Sequence, residues 1–223
     1  RTRGHRLEGI WHSGSPMGAI VHSVRGMHVC VPRNMTQAAG MYNTLMAADE
    51  PALVVECLNG YRKKEACPNN LGDFRVPLGQ VEVLLEGTDL TMLSYGSTLH
   101  LCQEACERLA DLGVEVELID AQTLLPFDLD GATAQSVAKT NRLLVVDEDV
   151  PGGAAAYLLD AVLNGQGAWN TLDGQGQTLT AKPHLPAYGS DGDYFSKPSV
   201  DDIVETAYNV MREVDPTSYP SLR

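Results

Sequence analysis

The sequence predicts an α/β fold in two pieces, built mostly on parallel strands, and three observations lead there. Apolar, β-prone runs recur along the chain, around residues 28–32, 52–57, 90–95, 114–120 and 143–147. Between them lie stretches whose apolar residues repeat at helical spacing. Gly or Pro stands at most of the junctions, and strands separated by helices pair in parallel through right-handed crossovers.

Each element follows from local chemistry. Residues 1–27 are dense in Gly, Ser and His and predict a loop, then a short helix over Met17, Gly18, Ala19, Ile20 and Val21. His28, Val29, Cys30 and Val31 form a compact strand closed by Pro32, and Ala38, Met41, Tyr42 and Leu45 then mark a helix. Pro51 stops that helix. Ala52, Leu53, Val54 and Val55 read as a strand buried on both faces, which makes residues 28–57 a β-α-β unit. The stretch 59–79 is linker-like, with Gly60, Pro68, Gly72, Pro77 and the charged run Arg62, Lys63, Lys64, Glu65. A boundary near residue 77 divides the chain into 1–76 and 77–223.

In the second piece, Leu90 to Tyr95 predict a strand, and Gly96 and Ser97 open a helix whose Leu99, Cys102, Ala105, Leu109 and Leu112 share a face. Gly113 ends it. Val114 to Asp120 and Leu143 to Asp147 are further strands, and Ala154, Tyr157, Leu158, Ala161 and Val162 mark another helix. Residues 165–176 read as a surface loop. The last helix is announced by a capping box, Ser199 with Asp202, ahead of Val200, Ile203, Val204, Ala207, Val210, Met211 and Val214.

Composition narrows the function. The 223 residues carry 16 Lys and Arg against 29 Asp and Glu, a net charge of −13, opposite in sign to what a phosphate-backbone binder needs. With 43% hydrophobic residues and no run near the ~18 that span a bilayer, the chain reads as soluble and not as a membrane protein. Five cysteines without a CxxC pair point to free thiols in a reducing compartment, cytoplasmic or otherwise intracellular. Arg1 stands where an initiator Met would, with no apolar export segment behind it, so the chain reads as starting inside a larger polypeptide.

The densest polar cluster is Trp11, His12, Ser13, Gly14, Ser15 and Pro16, with His22 and Ser23 ten residues on. A histidine among small residues can act as acid, base or hydrogen-bond donor, or it can be an ordinary loop residue. No Gly-x-Ser-x-Gly elbow supports Ser-His-Asp hydrolysis. Gly152 and Gly153 follow Asp147, Glu148 and Asp149, and three carboxylates would repel a phosphate, so the glycines serve a tight strand-to-helix turn. The same carboxylates face alternate sides and make a poor metal site. Cys102 and Cys106 read as core residues, and Asp191, Gly192, Asp193, Tyr194 and Phe195 as a turn docked by an aromatic anchor.

Taken in order, these segments resemble a family. His12-Ser13-Gly14-Ser15-Pro16, His22, Val29-Cys30-Val31-Pro32, Ala39-Gly40, Asp49 to Glu56, Thr123-Leu124-Leu125-Pro126-Phe127-Asp128 and Val145-Val146-Asp147-Glu148 follow the pattern of the β subunits of thiamine-diphosphate-dependent 2-oxo acid dehydrogenases, over essentially the whole chain. The resemblance implies a transketolase-like protein. Residues 1–76 would be the second half of a pyrimidine-binding domain and 77–223 a complete transketolase C-terminal domain.

The resemblance further implies the E1 component, which decarboxylates a 2-oxo acid on thiamine diphosphate and passes the acyl group to lipoamide on E2. The diphosphate and Mg²⁺ would be held mostly by an α subunit or α-type domain, so no cofactor or metal residue is assigned here. His12 would stand near the thiazolium and assist acyl transfer, with Ser13 and His22 as weaker candidates on the substrate side. The implied partners are the α part, the subunit-binding domain of E2 and a second copy of the chain, and the acidic surface would steer E2. A non-catalytic assembly module, or a transketolase or deoxyxylulose-phosphate synthase, are the alternatives.

Overall fold

A computed structural model describes residues 14–185 and 192–222. Strand β1 (His28–Cys30), helix α2 (Met35–Met46) and strand β2 (Ala52–Val54) form the expected unit, preceded by helix α1 (Met17–Ser23), and β1 and β2 pair in parallel. The start of α2 is closed by side chains from two directions. Asn34 accepts from the Gln37 N–H at 2.8 Å, and Glu65 Oε2 accepts from the Met35 and Thr36 N–H groups at 2.9 and 3.1 Å. Donors that the helix itself cannot satisfy are thereby paired, and the segment after β2 is pinned to α2.

β2 corrects one expectation. It lies at the edge of its sheet, with Ala52 exposed and Leu53 and Val54 half-buried, so it is not covered on both faces. An apolar run reports burial somewhere on the strand without saying which side lies open.

The remaining strands are β3 (Glu82–Leu85), β4 (Leu90–Ser94), β5 (Val116–Asp120), β6 (Thr123–Leu125), β7 (Leu143–Val146) and β8 (Gln177–Leu179). Five of the described strands make one sheet in the order β3-β5-β4-β7-β8, parallel except for the antiparallel edge strand β3. β4, β5 and β7 are buried at every position, β7 as a continuous apolar run and β4 and β5 with Thr91, Ser94, Glu117 and Asp120 buried among their apolar residues.

Helices cover both faces. Leu90, Met92, Leu118, Leu144 and Val146 pack beneath α3 (Thr98–Asp111) and α7 (Val200–Val214). Leu93, Tyr95, Ile119, Leu143 and Val145 point the other way, toward α1, α4 (Ala132–Thr140) and α5 (Ala154–Asp160). The alternation is the period-2 geometry of a strand, and each fully buried Leu or Ile adds about 1.5–3 kcal/mol. Leu112, grouped with the α3 face by spacing, lies beyond the helix end and is 40% exposed. α7 carries the expected capping box, with Ser199 accepting from the Asp202 N–H and Asp202 from the Ser199 N–H.

β6 was not anticipated. After β5 the chain turns at Ala121 and Gln122, leaves the large sheet, and pairs antiparallel with β1 in the order β2-β1-β6. The first piece therefore shares a sheet with a strand of the second. A short helix α6 (Gly192–Ser196) replaces the docked turn predicted before α7. Its Tyr194 and Phe195 are 62% and 57% exposed, so neither anchors it in the core. Phe195 instead lies against the surface side chains of His184 and Lys182.

Candidate functional site

His12 and Ser13 lie outside the described residues; the structure describes the chain from Gly14 onward. Helix α1 begins three residues after Gly14, and the buried Asp149 carboxylate accepts from the Gly18 N–H at 2.8 Å. Asp149 follows β7 and sits in the turn before α5, where Gly152 takes a φ of +82°. A Cβ on Gly18 would stand 2.7 Å from the Gly153 Cα, so the two backbones meet directly. The glycine pair thus serves the tight turn expected of it, and it also seats α1.

Each carboxylate of this turn has work of its own. Asp147 is wholly buried and accepts from the Tyr95 hydroxyl at 2.8 Å and from the Ala155 N–H at 3.1 Å. Glu148 meets Lys197 at 3.3 Å, both side chains almost enclosed. Among the described residues no group of three or more His, Cys, Asp or Glu side chains is placed to hold a metal ion.

His22 sits in the last turn of α1 with an exposed side chain. Cys102 and Cys106 line the α3 face of the core, as expected of packing residues, and burial pushes both thiols up, Cys106 to about 12.

A polar network that sequence reading missed crosses between the two pieces. Arg33, just after β1, donates to Asp120 at 2.7 Å and to Glu82 at 2.6 Å. Gln37 of α2 donates to Asp120 at 2.9 Å and to the Gln122 side-chain oxygen at 2.8 Å. The Gln122 N–H closes onto the other Asp120 oxygen at 2.8 Å. Burial raises the Asp120 pKa, while Gln37, Arg33 and the Gln122 N–H favour its charged form. The one signal in the sequence is a carboxylate at the end of a mostly apolar strand.

The transketolase C-terminal domain model matches residues 79–196, from just before β3 to the end of α6. The chain belongs to this family. The transketolase C-terminal domain accounts for the large sheet, and α7 packs on it from beyond the matched range.

Relatives extend the likeness upstream. The chain is 36% identical over 69% of its length to the 2-oxoisovalerate dehydrogenase subunit beta, mitochondrial, of Chaetomium thermophilum, covering 32% of that protein. It is 31% identical over 78% of its length to the acetoin:2,6-dichlorophenolindophenol oxidoreductase subunit beta of Bacillus subtilis, covering 49% of it. A 2-oxoisovalerate dehydrogenase subunit beta of the same bacterium is 29% identical over 80% of the chain, which covers 53% of that protein. The chain thus spans about a third to a half of the length of these relatives. Among solved structures, a split-gene transketolase described as an inactive beta4 tetramer superposes with a TM-score of 0.71 at 17% identity, over 91% of this chain and 64% of that one. A transketolase variant from Pichia stipitis gives 0.65 at 13% identity, over 98% and 30%. Both likenesses concern the fold.

Proposed function

We propose that this chain is the C-terminal part of the β-type half of a 2-oxo acid dehydrogenase E1 component, and that the whole enzyme decarboxylates a 2-oxo acid and passes the acyl group to lipoamide on E2. The observation that carries this reading is the alignment of up to four-fifths of the chain with β subunits of 2-oxoisovalerate and acetoin-type enzymes. In this reading residues 1–76 complete a pyrimidine-binding domain and 77–223 are the transketolase C-terminal domain. The start of the family match at residue 79 supports that division.

Thiamine diphosphate with Mg²⁺ would supply the carbanion chemistry, bound mostly by an α-type part. The contribution of this chain is His12, which would hold or deliver a proton at acyl transfer, with Ser13 and His22 on the substrate side. Support for His12 is its position in the sequence, five residues before α1, a helix seated on Asp149 and Gly153. The proposed partners are the α part, the subunit-binding domain of E2 and a second copy of this chain, in a reducing intracellular compartment that five free thiols suit.

Calorimetric titration of thiamine diphosphate and Mg²⁺ tests the reading, first into the chain and then into the chain mixed with an α-type subunit. Heat in the mixture alone is expected. Heat with the chain alone would mean that the diphosphate site has been misplaced, and silence in an associated mixture would favour the assembly-module alternative. In the full-length enzyme, His12→Ala is expected to impair lipoamide acylation, and wild-type turnover would remove His12 from the site.

A further inference from the structure

Helix α1 is too short to hold itself. Its seven residues fall well below the ~12–15 that an isolated helix needs in water, Gly18 is a poor helix former, and the N-cap Pro16 supplies no side-chain acceptor. The rest of the molecule must set its place. Met17 and Val21 are buried in the core shared with α5, which gives the helix an apolar seat. Apolar contact is non-directional, so the direction of the first turn depends on the bond from the Gly18 N–H to Asp149.

Asp149 is tied at both ends. Its carboxylate accepts from Gly18, and its carbonyl accepts from the Ala181 N–H at 2.9 Å, just beyond β8. One residue on, the Lys182 N–H donates to the Ser196 carbonyl at 2.9 Å, and Lys197 reaches Glu148 at 3.3 Å. The chain leaving α6 therefore returns to the residue next to Asp149. The Lys197 and Glu148 side chains are 9% and 8% exposed, so this pair is held out of water and little screened by salt.

The turn has little slack. A Cβ on Gly153 would stand 2.5 Å from an Asp149 oxygen, and one on Gly18 2.7 Å from the Gly153 Cα, so α1, Gly153 and Asp149 already touch. Packing this close transmits a displacement instead of absorbing it. Arg108 of α3 holds the same stretch of chain in a different way, through an exposed ion pair with Asp201 that does not touch the turn.

We infer that Lys197 is a positioning residue for α1: by holding Glu148 it fixes Asp149, and Asp149 fixes the first turn of the helix. A segment near the end of the chain and a helix near its start then answer to one turn between β7 and α5. This assignment uses only contacts within the described chain and stands apart from the E1 reading.

Hydrogen exchange in the full chain tests it. Lys197→Met, which keeps an unbranched stem and removes the charge, is expected to accelerate exchange at the residue 18 and Ala181 amides by roughly tenfold or more. Met92 and Leu118, in the centre of the large sheet, should keep their wild-type rates. A residue 18 amide that keeps its rate would overturn the inference. So would equal acceleration at all four amides, which is the mark of a global loss of stability. Arg108→Met loosens the same segment from the α3 side and should leave residue 18 unchanged. Acceleration there would mean that any loosening of the segment reaches α1, and would remove the special role of Lys197.

Coupling between two sites is reciprocal. Gly18→Ala should therefore accelerate the Ala181 amide in its turn, again with Met92 and Leu118 unchanged. This second variant decides the question if Lys197→Met does not fold, and an Ala181 amide exchanging at its wild-type rate would overturn the inference by itself.

Discussion

The Arg33 guanidinium donates to the Asp120 carboxylate at 2.7 Å, and the Asp120 side chain has no exposure to solvent at all. Arg33 follows β1 and Asp120 ends β5, so this contact joins a strand of the small sheet to one of the large sheet. Gln37 and Gln122 complete the carboxylate's shell, which leaves Asp120 paired and hydrogen-bonded. A carboxylate so placed tolerates ionisation only while its partners stay in position.

Removing the cation should therefore cost more than a surface ion pair would. Arg33→Met is expected to lower stability at pH 7 by about 3–5 kcal/mol, the cost of stranding a buried charge. Burial already raises the Asp120 pKa, so protonation relieves the strain, and the loss should shrink as pH falls through that raised value. Adding Asp120→Asn to the variant should recover most of the loss. Urea unfolding at pH 7 and pH 5 reads both effects, and a single variant within about 1 kcal/mol of wild type would show the pair to be dispensable.

The seat of α1 makes a second prediction. A Cβ at residue 18 would stand 2.7 Å from the Gly153 Cα and 3.1 Å from an Asp149 oxygen, and the backbone side of that contact cannot swing away. Gly18→Ala should displace α1, lengthen the bond to Asp149 and cost about 1–3 kcal/mol, in the manner of an overpacked site. Gly165→Ala, with nothing within 4 Å of the new atom, is the matched control. Hydrogen exchange at the residue 18 amide should accelerate in the first variant and stay slow in the second. Equal protection would mean that the close approach relaxes without moving the helix.

The central strands and the long helices were legible because their signals are local. β7 is an unbroken apolar run and β4 and β5 are mostly apolar, α3 and α7 repeat at helical spacing, and Ser199 with Asp202 writes its capping box in four residues. β6 and β8 were not legible, since their pairing is decided by partners far along the chain. β2 looked doubly buried because the same apolar residues suit an edge strand once one neighbour is taken away.

The candidate site divides in the same way. The turn at Gly152 and Gly153 could be read from a strand, two glycines and a helix in succession. The Arg33–Asp120 contact spans 87 positions and the Gly18–Asp149 contact 131, and no spacing rule reaches that far. Asp149 looked like one of three repelling carboxylates, and the fold gave each of the three a separate donor.

The thiols predict a simple chemical pattern. Cys30, Cys57, Cys102 and Cys106 are buried and Cys67 is exposed. Burial pushes the Cys30 thiol to about 11 and Cys106 to about 12, far from thiolate formation at neutral pH. Ellman's reagent at pH 8 should titrate one thiol rapidly and the other four only at the rate of unfolding. Cys67→Ser should abolish the fast phase. A second fast thiol would mean that one of the buried elements opens locally.

The last prediction concerns acid. Glu117 lies in β5, its side chain 5% exposed, and it receives Lys139 from α4. Burial alone would raise its pKa, but hydrogen bonds from Lys139, Ser136 and the Gly87 N–H outweigh burial and hold it below the ordinary value of 4.5. A carboxylate lowered on folding stabilises the fold above its unfolded pKa, and that contribution disappears as pH falls through the folded value. The contribution should therefore be complete near pH 6 and decline below about pH 4.5. Lys139 is 42% exposed, so solvent screens the pair and the effect should be about 1 kcal/mol, not that of a buried bridge. Lys139 itself is raised from 10.5, so its share is present below that pH and lost above it. Glu117→Gln removes the acid-side term. Its stability relative to wild type should be lowest near pH 6, and the two curves should draw together as pH falls below 4.5. Parallel curves across that range would mean that Glu117 acts through shape alone, with no part played by its charge.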